Sequence, residues 1–281
     1  MDTIMSTYNY LIYDLASPVT KDWFLLSSPW PVLSIVLFYN FFCKKLGPYL
    51  MSDKEPFELK LVIKLYNLFQ VLISLYLVYE GTKYVTESDY NWFCQAPDPY
   101  EIPRASMIAR SVYIYFILKI IELLDTVFFV MRKSYRQVSP LHLHHHSLMP
   151  LASWIGAKYV AGGQCVLVGY INSFVHAIMY SYYLVSGLGP EYRKYLWWKK
   201  YVTLIQLIQF AMLTVHSIIS LFFPCGYHFA FKLLTIAYGY LFIKWFGKFY
   251  YTNYIKTKKP QKHGSSQNGL KNGSYKQQKM K

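Results

Sequence analysis

Residues 61–79, LVIKLYNLFQVLISLYLVY, hold a single charge, Lys64. A run of that length and polarity suits a helix through the hydrocarbon core of a bilayer, which takes roughly 20 mainly apolar residues. Comparable runs stand at 31–42, 107–130, 141–159, 165–185, 201–223 and 229–251, separated by short polar breaks, so the pattern predicts seven spans. The first is short, is expected to extend past both ends, and meets Lys44 and Lys45, while the third and fourth contain charges and histidines. Composition agrees: the 281 residues are 54% hydrophobic and 20% aromatic, and the charged share of 15% falls well below the roughly 25% of a soluble domain. Lipid is the expected solvent of one compact, all-helical membrane domain over residues 29–254.

The flanks differ from this core. Residues 1–28 scatter Asp2, Asp14, Lys21 and Asp22 through modest apolar stretches, without the basic start and unbroken apolar run of a cleaved signal peptide. After Tyr254 the composition turns to Lys, Gln, Gly, Ser and Asn, which cannot bury a core, so residues 255–281 are expected to form a disordered basic tail. Lys276, Lys279 and Lys281 loosely resemble a C-terminal lysine signal for retrieval to the endoplasmic reticulum. The net charge of +15 comes from basic residues at span ends and in that tail, a distribution that fits membrane orientation and an anionic ligand rather than nucleic acid.

Orientation follows from the loops. Lys44, Lys45, Lys54 and Lys60 fall on the same side as Arg132, Lys133 and Arg136, then Arg193, Lys194, Lys199 and Lys200, then the tail; that side is expected to be cytosolic. The opposite, lumenal side has the acidic loop 87–101, with Asp89 and Asp98, and the turn 224–227. An odd number of spans makes residues 1–28 lumenal and the C-terminus cytosolic, which leaves the sequon at Asn272 unused. Cys94 and Cys225 both fall in lumenal connections, where disulfides persist, and are expected to pair. Cys43 and Cys165 read as small membrane-helix residues.

Three imidazoles dominate the fourth span. In His142-Leu143-His144-His145-His146, positions 142, 145 and 146 relate as i, i+3 and i+4 and share a helix face, whereas His144 points away as a packing residue. Three histidines on one buried face require a task. The third span adds Lys119, Glu122 and Asp125, followed by Thr126. These charges are either an ion-paired packing stripe or a source for the carboxylate, Asp125, that orients a histidine and sets its tautomer. Span five holds Asn172 and His176 at i, i+4, then Tyr180, Tyr182 and Tyr183, and makes His176 a candidate partner of the box. Lys199, Thr203 and Gln206 share one face of span six, which suits either a phosphate-bearing ligand or ordinary helix-end and helix–helix contacts.

Taken together, Lys119-x-x-Glu122-x-x-Asp125-Thr126, His142-x-x-His145-His146, Asn172-x-x-x-His176-x-x-Met179-Tyr180-x-Tyr182-Tyr183 and Thr203-x-x-Gln206-x-x-Gln209 resemble the very-long-chain fatty acid elongases, the 3-oxoacyl-CoA synthases of animals and fungi. The segment from Gly47-Pro48 to Lys54-x-Pro56-Phe57 resembles that family's first cytosolic loop. The resemblance implies seven helices, six of them in a barrel-like bundle around a narrow acyl tunnel open to the cytosol. It implies an enzyme of the endoplasmic reticulum membrane, the substrates malonyl-CoA and acyl-CoA, no cofactor and no bound metal. The reductase and dehydratase of the elongation cycle are implied as partners, and homo-oligomers are common in the family.

Decarboxylation of malonyl-CoA supplies a carbon nucleophile without a strong base, and no cysteine lies near the box to hold the acyl group. Two routes are open: His145 attacks the acyl-CoA, with His142, His146 and Asp125 positioning rings and stabilising charge and His176 holding the malonyl group or its enolate, or the histidines polarise a ternary complex in a single step that leaves no acyl-enzyme. The family pattern places CoA against Arg132, Gln137, Lys199 and Lys200, with Lys119, Tyr182, Thr203 and Gln206 deeper along its arm. Two rivals compete: a membrane di-iron desaturase or hydroxylase, which needs several such boxes, and a seven-helix transporter or receptor, which leaves the three-histidine face unexplained.

Overall fold

The computed structural model describes residues 2–87 and 89–256; most of the basic tail, from 257 with its sequon and terminal lysines, lies outside the described residues. Among the described residues the chain is all helical. In chain order the α-helices are α1 (Asp2–Asn9), α2 (Trp30–Phe41), α3 (Gly47–Leu50), α4 (Lys60–Val85), α5 (Pro103–Ile121), α6 (Leu124–Met131), α7 (Pro140–Tyr159), α8 (Gln164–Ser186), α9 (Lys199–Ser220) and α10 (Phe229–Tyr250). Four helices, Lys60–Val85, Gln164–Ser186, Lys199–Ser220 and Phe229–Ile255, are long and apolar enough to cross a membrane.

The polarity of α4 shows which solvent the bundle meets. Leu61, Leu65, Leu68, Leu72 and Leu75 face outward, while Asn67, Gln70 and Ser74 are buried. This is inside-out for a protein in water and ordinary for one in lipid, where polar side chains turn to the bundle interior. The chain is a multi-pass membrane protein. Within it α4 packs along α8, α9 along α10, and α5 along α7, with α2 laid against α7.

The first span extends past Phe42 as expected: α2 runs on through a π-helical stretch, Phe42–Leu46, into α3. The third span differs from the sequence reading, because it is not one helix. Between α5 and α6 the backbone tightens, with Leu123 N–H donating to Ile120 O, Asp125 N–H to Glu122 O and Thr126 N–H to Leu123 O, each at 3.2 Å. These i to i−3 bonds form a short 3₁₀-type turn, of the kind that often marks a functional site inside a helix. It keeps the amides satisfied while changing the faces to which Glu122, Asp125 and Thr126 point.

Helix α7 is set at both ends. Ser139 Oγ accepts from the His142 N–H at 3.2 Å and Pro140 opens the first turn, an N-terminal arrangement that places the histidine box in the first two turns. Lower down, Pro150 supplies no N–H to the His146 carbonyl and loosens the helix beneath the box. At the other end the N-terminal segment supplies donors for carbonyls that a helix terminus leaves orphaned: Ser17 N–H donates to Lys158 O at 2.8 Å and Thr20 Oγ1 to Ala157 O at 2.6 Å. Nearby, a disulfide joins Cys94 to Cys225, and Arg104 bridges Asp89 and Asp98. Hydrogen bonds from Arg104 hold the Asp89 carboxyl below its usual range.

Candidate active site

The box histidines meet at the α6 end of α7. The His142 and His146 rings lie 4.2 Å apart between centroids and those of His145 and His146 5.3 Å apart. His144 turns away and stacks on Trp245. His145 is wedged against Phe242 and Phe246 of α10, with ring centroids at 5.1 and 5.9 Å. These aromatic walls narrow the approach to its imidazole.

The charged stripe of α5 and α6 divides into two neighbouring assemblies. Lys119 Nζ donates to both oxygens of Glu122, at 2.8 and 3.0 Å, with both side chains 1% exposed. His176 Nδ1 lies 3.1 Å from Glu122 Oε1 and 3.4 Å from Lys119 Nζ. The shorter contact assigns the Nδ1 proton to the carboxylate, leaving Nε2 as the acceptor of a neutral ring. The carboxylate that holds a histidine is therefore Glu122. Asp125, expected in that part, instead accepts a 2.7 Å hydrogen bond from the Tyr180 hydroxyl, because the tight turn at 122–123 separates the two acids. Thr126 takes the next face. Its Oγ1 is 2.9 Å from His142 Nε2 and 2.7 Å from the Tyr39 hydroxyl, so a hydroxyl chain from α2 reaches the box.

Two cavities meet at His145. One, of about 1300 Å³, is lined by all three box histidines, His176, Asp125, Gln137, Tyr182, Lys199, Thr203 and Gln206. The other, of about 950 Å³, is mostly apolar and runs from His145 and Met149 along α7 to Val160, Tyr227 and Phe231, with Ser153, Asn172 and Gln209 among its walls. Several expected ligand contacts are elsewhere. Lys119 is committed to its buried ion pair, Lys200 lies over the Tyr201 ring at 4.7 Å, and Arg132 sits exposed at the end of α6; none of the three lines the polar cavity. Arg136 does; it lies four residues beyond Arg132, in the short 3₁₀ turn Tyr135–Gln137 that follows α6. Among the described residues no group of three or more His, Cys, Asp or Glu side chains is arranged to hold a metal ion.

A family model, ELO: GNS1/SUR4 family, matches residues 24–262. The chain belongs to the ELO family. It is 41% identical to very long chain fatty acid elongase 4 of Homo sapiens over 269 residues, 95% of this chain and 85% of the relative. Identity is also 41% to very long chain fatty acid elongase 7 of Drosophila melanogaster over 268 residues, 95% of this chain and 81% of that one. A very long chain fatty acid elongase of Aedes aegypti is likewise 41% identical, over 260 residues, 92% of this chain and 72% of the relative.

Sequence reasoning missed four contributors to this ELO site: Glu122 as the histidine's carboxylate, Thr126, Tyr39 and Arg136. Thr126 was visible inside the charge motif, but Tyr39 had no signal, because only tertiary packing brings α2 to it. Thr126→Val is expected to lower kcat about 10²-fold, the scale of a small misplacement at a reacting group, with KM for the thioester substrate little changed and Thr126→Ser close to wild type. Steady-state kinetics beside thermal unfolding in detergent check this. A valine variant that loses stability yet keeps its kcat removes Thr126 as a positioning residue.

Proposed function

We propose that the protein is a very-long-chain 3-oxoacyl-CoA synthase, condensing a long acyl-CoA with malonyl-CoA and releasing CO₂ and CoA in the first step of fatty-acid elongation. The observation that carries this reading is the position of His145 at the junction of a polar vestibule and a long apolar cavity. A thioester with its CoA in the vestibule and its chain in the apolar cavity presents its carbonyl to that imidazole. The names of the relatives agree with this chemistry.

In the first half-reaction an imidazole nitrogen of His145 attacks the acyl carbonyl, the C–S bond breaks, and the imidazole proton passes to the departing CoA thiolate, leaving an acyl-imidazole. In the second, malonyl-CoA loses CO₂, the resulting enolate carbon attacks the acyl carbonyl, and the C–N bond breaks. One proton from solvent restores the imidazole, so the cycle consumes a single proton overall. His142 and His146 crowd the attacking ring and fix its orientation, and Thr126 holds His142. His176, held by Glu122, faces the vestibule where the malonyl group would sit. Arg136, Gln137 and Lys199 are placed for the phosphates of CoA, with Tyr182, Thr203 and Gln206 deeper along its arm.

The whole-chain reading has seven spans, of which the first, α2 with its continuation, lies outside a ring of six. The basic ends face the cytosol and the Cys94–Cys225 end faces the lumen of the endoplasmic reticulum, with residues 29–254 as the catalytic domain. The product, a 3-oxo thioester, calls for reduction and dehydration next, so a reductase and a dehydratase are the expected neighbours, and a homo-oligomer is the expected assembly. Purified protein in detergent, given radiolabelled malonyl-CoA, an acyl-CoA series and a strong chelator, is expected to make 3-oxoacyl-CoA. Folded protein that makes none, or that holds stoichiometric iron on which turnover depends, overturns the reading.

A further inference from the structure

The apolar cavity has a neighbour. A smaller, narrow apolar cavity lies between α4, α5 and α8, and shares Val112, Tyr115, Cys165 and Gly169 with the main one. Its other walls include Leu77, Ile108 and Ser111, the last partly exposed on the outside of the bundle. The four shared residues face both spaces.

Gly169 is the thin point of that partition. A glycine in mid-helix costs helix stability, and membrane helices usually recover this by letting another backbone or ring approach closely. Gly81 does so, since a Cβ there would meet the Tyr170 ring at 2.5 Å, and Gly156 has Cys165 Sγ at 2.9 Å. Gly169 has no such neighbour: a Cβ would find only the Tyr115 ring, in ordinary contact at 3.7 Å. The Tyr115 ring is itself held, its hydroxyl donating to Asn172 Oδ1 at 2.9 Å, so the space beside the glycine persists. Meanwhile the main cavity has a fixed depth. From His145 to Val160 the α7 wall rises about 22 Å at 1.5 Å per residue, and its floor of Val160, Tyr227 and Phe231 packs on the Cys94–Cys225 disulfide.

We propose that Gly169 opens a side branch of the acyl cavity, into which the methyl end of acyl chains longer than the main cavity passes, between α4, α5 and α8. The proposal rests on the acyl-CoA reading of the site. It makes Gly169, rather than the floor, the residue that decides whether the longest chains are accepted.

Two variants and a chemical probe test it. Gly169→Leu closes the partition, and Ser111→Trp fills the branch from outside without entering the main cavity. Ser111→Trp is expected to elongate shorter acyl-CoAs at the wild-type rate, and both variants are expected to lose about tenfold or more on the longest acyl-CoAs relative to the shorter ones, the scale on which an apolar pocket discriminates fitted from unfitted methylenes. Acyl-CoAs carrying a terminal diazirine are expected, after irradiation, to label Tyr227 or Phe231 when short and Leu77, Ile108 or Ser111 when long. Labelling confined to the floor at every length, with product lengths unchanged in both variants, overturns the branch. Labelling in the branch by a protein that fails to elongate keeps the branch and overturns the enzymatic reading instead.

Discussion

Replacing Glu122 by alanine is expected to destabilise the protein by about 3–5 kcal/mol, the range for a buried charge stripped of its partner, and to abolish condensation. The Lys119 ammonium, 1% exposed, would lose its direct carboxylate partner and keep the face of the Tyr115 ring, 4.7 Å away, and the His176 ring nitrogen at 3.4 Å. Removing both charges separates the two effects. Lys119→Met with Glu122→Leu fills similar volume without a lone charge, and such replacements are commonly neutral or stabilising. The double variant should recover the melting temperature in detergent but not activity, because His176 has lost the acceptor that fixes its tautomer. Recovered activity in the double variant would mean that the carboxylate serves only the fold.

The His145→Ala variant should show the converse: near-normal melting, retained binding of acyl-CoA, and 3-oxoacyl-CoA formation reduced by about 10³-fold or more, as when a nucleophile is removed from a site that otherwise persists. Its neighbours Phe242 and Phe246 also pack against Phe210, one tilted and one edge-on, with centroids 5.1 Å away in each case, so that wall does not depend on the imidazole. Mass spectrometry supplies the sharper test. Mixed with acyl-CoA alone, the wild-type chain should gain one acyl group and release one CoA, while the variant should do neither. Turnover in the variant within tenfold of wild type, or its normal acylation, would remove His145 as nucleophile. An unacylated but active wild-type chain would favour a single-step condensation in which the histidines polarise both thioesters at once.

What the sequence made legible here was spacing. His142, His145 and His146 had to share a face once residues 140–159 were helical, and His144 had to leave it. The long apolar spans were equally plain, because a leucine face toward lipid needs only composition and length. Direction around a helix was harder. Adjacent positions differ by about 100°, so Lys199 and Lys200 cannot be told apart without neighbours, and the structure seats Lys199 in the vestibule while Lys200 lies over Tyr201. Likewise the exchange of Asp125 for Glu122 as the histidine's partner hangs on a tight turn in a stretch, ILKIIELLDTV, that has neither proline nor glycine to announce it. Tyr39 and the side cavity at Gly169 are products of packing between distant helices, and no local pattern encodes them.

The bond between Cys94 and Cys225 spans 131 residues of sequence, and α5 through α9 lie inside the ring it closes. Such a ring cannot be sealed until its second sulfur has emerged, after the five helices inside the ring and the turn before α10 have been made. Until then the floor beneath the apolar cavity is unfinished. Maturation of the enzyme is thereby tied to the completion of its own threading, and a nascent chain stalled before residue 225 would have its histidines in hand but nothing to stop a lipid tail at the bottom.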